Sequence, residues 1–374
     1  CMRMKRWIAF LCAAAMIFLA ACSPAATEPT PSAQIPEDAV VGEGALPQTV
    51  DLGSEADEPL PTEEPEEAPV NPAQTQVGIV MMDDGSLLRR CALHGFLRTA
   101  ENLGYPAKLY TADSTAAAAA RITEAVNDGC KGLLIWAEDS NMEGAVRQAV
   151  SAGITVVTPY YETDSIEGVG SNLAPEPADF CAEAARIMCE QAQSRGVETG
   201  VIALVREAGA HQDIVDAFTA AVAANYPQYT VSDIALSSTE EESTEAARAF
   251  VKEHADIAGI WGLSPTSATA WYNGEIAAEK ELKAEKAENA KRVPVIMGLD
   301  YTKENLNLVT SGKIYALIAR PFYNSTAQSM MMLDSILHGN EVQEHIRLNA
   351  PVIRNKDSSK YSSIVSEVES WFGM

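Results

Sequence analysis

Positive charge is scarce in this sequence. Its 374 residues carry 27 Lys and Arg against 52 Asp and Glu, a formal net charge of −25. Nucleic-acid binding needs clustered Lys and Arg to displace counterions from phosphate, so the deficit excludes that partner. Metal-ligand spacing is missing too. The 7 cysteines, at 1, 12, 22, 91, 130, 181 and 189, form no C-x-x-C pair and no Cys/His pattern. Cys181 and Cys189 lie about 12 Å apart on a predicted helix, beyond disulfide reach, so buried free thiols are expected. The 5 histidines, at 94, 211, 254, 338 and 345, share no ligand spacing. There is no nucleophile elbow, no H-E-x-x-H and no Walker loop. An enzyme is therefore not expected, and neither is a cofactor.

The apolar run at the amino terminus is short for a membrane span. Arg3, Lys5 and Arg6 precede Trp7 to Ala21, which suits the h-region of an export signal. The run ends in Leu19-Ala20-Ala21-Cys22-Ser23, which resembles the lipobox of bacterial lipoproteins; the resemblance implies acylation of Cys22, a membrane contact through a lipid anchor, and a signal peptide over 1–21. Cys1, ahead of Met2, has no account. Residues 23–75 contain no Lys or Arg and carry a charge of −12, with many Pro, Glu, Ala and Thr. Such a segment buries too little apolar surface to offset the entropy of ordering, so 22–75 is expected to be a disordered tether.

From Gln76 the pattern changes. Short apolar runs alternate with amphipathic segments that end at glycine. Strands are expected at 77–82, 107–110, 132–136 and 154–158, with helices at 87–103, 114–127 and 140–152. A second series holds helices at 175–193, 213–224, 240–254, 266–289 and 303–311, and strands at 200–205, 230–237, 257–262, 293–299 and 314–319. Continuous apolar strands separated by helices indicate parallel sheets covered on both faces. The fold class is thus α/β, with two doubly wound parallel-sheet lobes joined by a multi-strand hinge. The first lobe is expected over 76–159 and 321–338, the second over 160–320 and 339–354. Residues 355–374 form a helical extension whose Tyr361, Ile364, Val368 and Trp371 share a stripe that packs on a lobe.

In open parallel sheets the ligand crevice lies beyond the carboxyl ends of the strands. Of 24 aromatic residues, Trp136, Tyr160, Tyr161, Trp261, Tyr301, Phe322 and Tyr323 fall at or just past expected strand ends. Asp83, Asp84, Asp139, Arg206, Asp300 and Arg320 are interleaved with them. Flat apolar faces among a few oriented charges suit a small polyhydroxylated or zwitterionic solute.

Val126-Asn127-Asp128-Gly129-Cys130-Lys131-Gly132-Leu133-Leu134-Ile135 leading to Asp139-Ser140, then Ala152-Gly153-Ile154-Thr155-Val156-Val157, Val295-Ile296-Met297-Gly298-Leu299-Asp300 and Ile318-Ala319-Arg320 are the segments that resemble the type I periplasmic sugar-binding proteins of ABC importers, the group containing the ribose-binding protein. The likeness spans nearly all of 76–354. It implies hinge closure on a small solute, an ABC permease as membrane partner, a monomer, and a place outside the cytoplasmic membrane in the cell envelope. A ligand-sensing subunit for a membrane kinase or chemoreceptor is the alternative. The resemblance implies that Asp139 and Asp300 accept hydrogen bonds from sugar hydroxyls. Arg320 stands where the family often has Gln, Gln212 near a frequent Arg, and Ser264 where Asn is common. The first loop, Asp84-Gly85-Ser86-Leu87-Leu88-Arg89-Arg90, lacks the family's stacking aromatics. Ser86 and Arg89 become candidate contacts there, with Trp136 and Tyr160 stacking from another side. Arg89 and Arg320 together could also grip an anionic or highly oxidised ligand.

Overall fold

The computed structural model describes residues 70–137, 142–160, 166–236, 239–287 and 293–374. These all fall in one compact unit, Glu66–Met374. Cys22 and the segments expected as signal and most of the tether, with Asp139 and Tyr161, lie outside the described residues. Within the stretch expected as tether, Asn71 caps a short 3-10 turn, Pro72–Gln74, and Thr75 is buried, so residues 71–75 belong to the folded part.

Strands β1 (Val77–Met82), β2 (Ala107–Ala112), β3 (Gly132–Ile135), β4 (Thr155–Pro159), β5 (Val169–Pro175) and β11 (His345–Leu348) build one sheet in the order β11-β5-β4-β3-β1-β2. A second sheet, in the order β12-β10-β9-β8-β6-β7, holds β6 (Gly200–Glu207), β7 (Tyr229–Leu236), β8 (Ile257–Gly262), β9 (Val295–Leu299), β10 (Ala316–Ile318) and β12 (Val352–Ile353). Every pairing is parallel except β12 on β10. The central strands β8 and β9 are buried throughout, as a sheet with helices on both faces requires, whereas the edge strand β7, buried only at Tyr229, mixes exposed and partly buried residues.

The helices end where local chemistry stops them. Helix α1 (Leu87–Leu103) closes on Gly104 in the left-handed conformation, φ 83°. Helix α7 (Glu240–Glu253) starts from a Thr239 cap with Glu240, Glu241 and Glu242 in its positive first turn. The helix expected over 114–127 is instead two, α2 (Thr115–Ala120) and α3 (Ile122–Asn127), which break at Arg121. Helices α4 (Glu143–Ser151), α5 (Pro177–Ser194), α6 (Gln212–Asn225), α8 (Ser267–Ala284), α9 (Lys303–Thr310), α10 (Phe322–Leu337) and α11 (Ser358–Phe372) complete the set.

The lobe boundaries differ from the sequence expectation. Residues 160–175 and 339–348 were assigned to the second lobe, yet β5 pairs with β4 and β11 with β5 in the first sheet. The reason lies in composition: Val-Gly-Ser-Asn-Leu-Ala-Pro has no continuous apolar run, and His345–Leu348 is an exposed edge strand. Helix α10 packs on β3, β4 and β5, so the chain passes between the lobes at three places: after β5, between β10 and α10, and between β11 and β12. Proline marks each crossing, with Pro175 and Pro177, Pro321, and Pro351. Its ring fixes φ and removes a backbone donor; Pro175 is the last residue of β5, paired with Leu348, and the ladder stops there.

Candidate functional site

A cleft of about 430 Å³ opens at the carboxyl ends of the strands, beside the crossings. Arg89, Trp136 and Tyr160 line it from the first lobe, Phe180, Asp213 and Ile214 from the second, and Ala174, Pro175, Pro177, Arg320 and Phe322 at the crossings. Trp136 leaves β3 with its N–H donating to Val80 O at 2.9 Å. Tyr160 leaves β4 in the left-handed conformation, φ 62°, its N–H donating to Leu173 O of β5. That bend lays its ring on Trp136, with centroids 4.9 Å apart and planes at 9°. Phe322 joins them, 5.6 Å from Trp136 and 5.2 Å from Tyr160. Guanidinium groups flank this cluster: Arg320 lies 5.2 Å from the Phe322 centroid and Arg89 6.0 Å from that of Trp136. Cations over aromatic faces gain from the ring quadrupole.

Asp300 follows β9, also left-handed at φ 63°. Asn305, fully buried at the start of α9, donates through Nδ2 to the carbonyls of Leu299 and Asp300 and pins that turn. The Asp300 carboxylate is taken up by Arg320. Nη2 of Arg320 donates to Oδ2 at 2.6 Å, Nε to both oxygens at 3.1 and 3.2 Å, and the Arg320 backbone N–H to Oδ1 at 3.0 Å. Burial disfavours the charge on Arg320, but Asp300, with Tyr160 and Asp213, holds its pKa above the ordinary arginine value. Burial pushes the Tyr160 hydroxyl upward while the Arg320 charge opposes it. Burial also lowers the pKa of Arg89, Asp84 opposing and Arg320 adding to the effect. His211, left-handed at φ 55° before α6, is lowered first by burial and then by Arg320.

The structure gathers four of the named residues, Arg89, Trp136, Tyr160 and Arg320, around this cleft. Asp300 sits behind Arg320, its carboxylate occupied by that side chain instead of facing the cleft. Ser86, Gln212 and Ser264 are not among the lining residues. Ser86 is exposed at the start of α1, its N–H donating to Asp84 Oδ1 at 2.9 Å. Gln212 accepts from Arg206 Nη2 at 3.0 Å and donates to Asp216 at 2.8 Å. Ser264 is buried and its backbone exchanges hydrogen bonds with Ser267 Oγ. Phe180, Asp213 and Phe322 were not on the candidate list. Asp213 reads in sequence as a helix-start carboxylate and Phe180 as an apolar helical position, so no local signal marks them. Phe322 was visible among the strand-end aromatics.

Among the described residues no group of His, Cys, Asp and Glu is arranged to hold a metal ion, and no helix is long and apolar enough to cross a membrane. The four described cysteines, Cys91, Cys130, Cys181 and Cys189, are free and buried.

Comparison with known proteins adds a family and a fold. The family model of the periplasmic binding protein domain matches residues 77–341. No curated protein matches the sequence. Among solved structures, a sugar-binding protein of a sugar ABC transporter from Bacillus halodurans is similar with a TM-score of 0.64 and 18% identity, over 76% of this chain and 99% of that one. The arabinose-binding protein AraP of Geobacillus stearothermophilus gives 0.62 and 19%, over 77% and 99% of the two chains. A periplasmic ribose ABC transporter structure from Conexibacter woesei gives 0.61 and 16%, over 78% and 96%.

Proposed function

The chain belongs to the periplasmic binding protein domain family, and from that premise we propose that it is the solute-binding lipoprotein of an ABC importer, capturing a sugar or sugar derivative by closing its two lobes. The observation that carries this reading is the cleft at the three crossings, which joins stacked aromatic faces to an ion-paired guanidinium. Aromatic faces suit the C–H surface of a sugar ring, while Arg89, Arg320 and Asp213 offer directed, charge-assisted hydrogen bonds to hydroxyl or carboxylate oxygens. A solute touching both lobes binds the closed form more tightly and shifts the population toward it. Micromolar affinity corresponds to about −8 kcal/mol, within reach of several such bonds plus ring contact.

Export and anchoring rest on the charged start, the apolar run and the Cys22 lipobox. Acylated Cys22 and the tether would place the lobes outside the cytoplasmic membrane as a monomer beside the permease. Asp300 serves as a positioning residue for Arg320 in this scheme, and Asp139 follows from the family likeness alone. The test is a thermal-shift screen of the chain against neutral sugars, sugar acids, polyols and nucleosides. A compound that binds the native state alone raises Tm, and the raised Tm is lost in Arg320→Ala. If no member of any class shifts Tm, solute capture in this cleft is wrong.

A further inference from the structure

The carboxyl-terminal helix α11 lies beyond residue 341, where the family match ends, and it touches both lobes. On the second lobe, Val365 and Val368 are buried in one cluster with Leu306 and Val309 of α9, and Lys303 donates to Glu369 at 2.8 Å. On the first lobe, Glu367 stands 3.2 Å from Nε2 of His94 and 3.6 Å from Nε of Arg98, both on α1. The Trp371 ring meets His94 edge-on at 4.7 Å, and the Arg90 guanidinium lies 4.8 Å over Phe372. Nearer its start, α11 sets Tyr361 and Ile364 beside Pro321 and Pro351, the prolines of two of the crossings.

We infer that α11 is a strap across the hinge that sets how readily the two lobes change their relative orientation. A helix packed on two bodies cannot keep both sets of contacts when they rotate. The α9 side is buried and apolar, so it holds. The α1 side joins the buried Cys91 and His94 to Glu367 and Trp371, which are 46% and 45% exposed, so it is the side that parts. The contacts of Glu367, Trp371 and Phe372 with α1 therefore favour the lobe arrangement seen here over any other. The same α1 presents Arg89 to the cleft near its amino end. Strap tension is thereby linked to the position of a candidate ligand contact. The inference rests on the hinge-closure reading but needs no solute to test.

The measurement is an interlobe distance in the full chain. Nitroxides are attached through an encoded keto amino acid at Lys131 and Glu253, exposed positions at the base of the first and second lobes, and distances are read by pulsed double resonance. In the double variant Glu367→Ala/Phe372→Ala, the population at the original distance is expected to fall roughly threefold or more relative to longer or shorter distances, given the size of the cation–π and ion-pair contacts removed. A chain ending at Lys356 should show a larger change of the same sign. Amide exchange over 361–372 reports whether α11 has loosened from α1. Increased exchange there with an unchanged distance distribution would make α11 mere packing and overturn the strap. Should the truncated chain not fold, the double variant decides alone, since Glu367 is 46% exposed in its side chain and Phe372 is the last residue of α11, so both losses leave the buried Val365 and Val368 in place. Because no solute is added, an empty solute screen leaves this result standing, and an unchanged distance leaves solute capture untouched.

Discussion

Tyr160, His211 and Asp300 share a backbone conformation that non-glycine residues rarely hold, with φ of 62°, 55° and 63°. Each costs about 1 kcal/mol or more, and all three sit at strand or helix ends around the cleft, where surrounding contacts enforce the turn. Asp300 shows the consequence most directly. Asp300→Asn keeps the shape and the tolerance of the turn but leaves the half-buried Arg320 guanidinium without its paired carboxylate, so unfolding in urea should show a loss on the order of 2 kcal/mol. A loss below half a kcal/mol would mean that Asp300 does not hold Arg320 in solution.

A buried and a half-buried titratable group lean in opposite directions. Burial, reinforced by Glu279 and opposed by Lys283, pushes the Glu275 carboxyl up to about 7. The native state then binds more protons than the unfolded chain between the ordinary glutamate pKa of 4.5 and about 7, so this contribution is full below 4.5 and lost as pH rises through 7. Glu275→Gln should gain stability at pH ~8 relative to pH ~4.5, by up to about 3 kcal/mol, and a pH-independent difference would refute the shift. His211 behaves conversely. Its pKa is depressed by burial and by Arg320 and Arg206, against Asp300 and Asp213, so the unfolded chain binds more protons and stability falls as pH drops below the ordinary value of 6.5. His211→Asn, which tolerates the left-handed backbone, should flatten the decline in Tm between about pH 7.5 and 5.5.

At the scale of elements, the helix and strand runs with strong apolar periodicity were legible, and those shaped by neighbours were not. Helix α1 could be read from Leu87 to Leu103 because its stripe is continuous and Gly104 stops it. The break at Arg121 lies in an alanine-rich segment with no proline or glycine to announce it. Strands β5, β11 and β12 escaped notice because they are short or polar and acquire their ladder from strands far away in sequence. Close packing of α1 on α10 is likewise invisible locally. A methyl on Gly95 would stand 2.3 Å from the Tyr323 carbonyl and 2.6 Å from Thr326 Oγ1, and the carbonyl is backbone that cannot swing aside. Gly95→Ala should therefore destabilise by about 1–3 kcal/mol in chemical denaturation. Gly144→Ala, with nothing near its added carbon in α4, should instead stabilise by up to about 1 kcal/mol. Equal effects would remove the claim that the α1–α10 contact depends on glycine.

For the molecule as a whole, two lobes are joined by three proline-marked crossings, and the proposed closure is a rotation about them. The solute giving the largest thermal shift should narrow the Lys131–Glu253 distance distribution to a single population, and no change at saturation would argue for a rigid receptor.

From the sequence alone came the α/β class, the two series of parallel strands, and the aromatic and charged residues gathered past strand ends. These depend on local periodicity, composition and the rule that the crevice of an open parallel sheet lies beyond the carboxyl ends of its strands. Tertiary structure alone decided that the Asp300 carboxylate goes to Arg320, that Phe180 and Asp213 join the cleft, that β5 and β11 complete the first sheet, and that α11 touches both lobes. Each of those outcomes depends on which distant side chains meet, and no local pattern encodes the partner of a charge or of an edge strand.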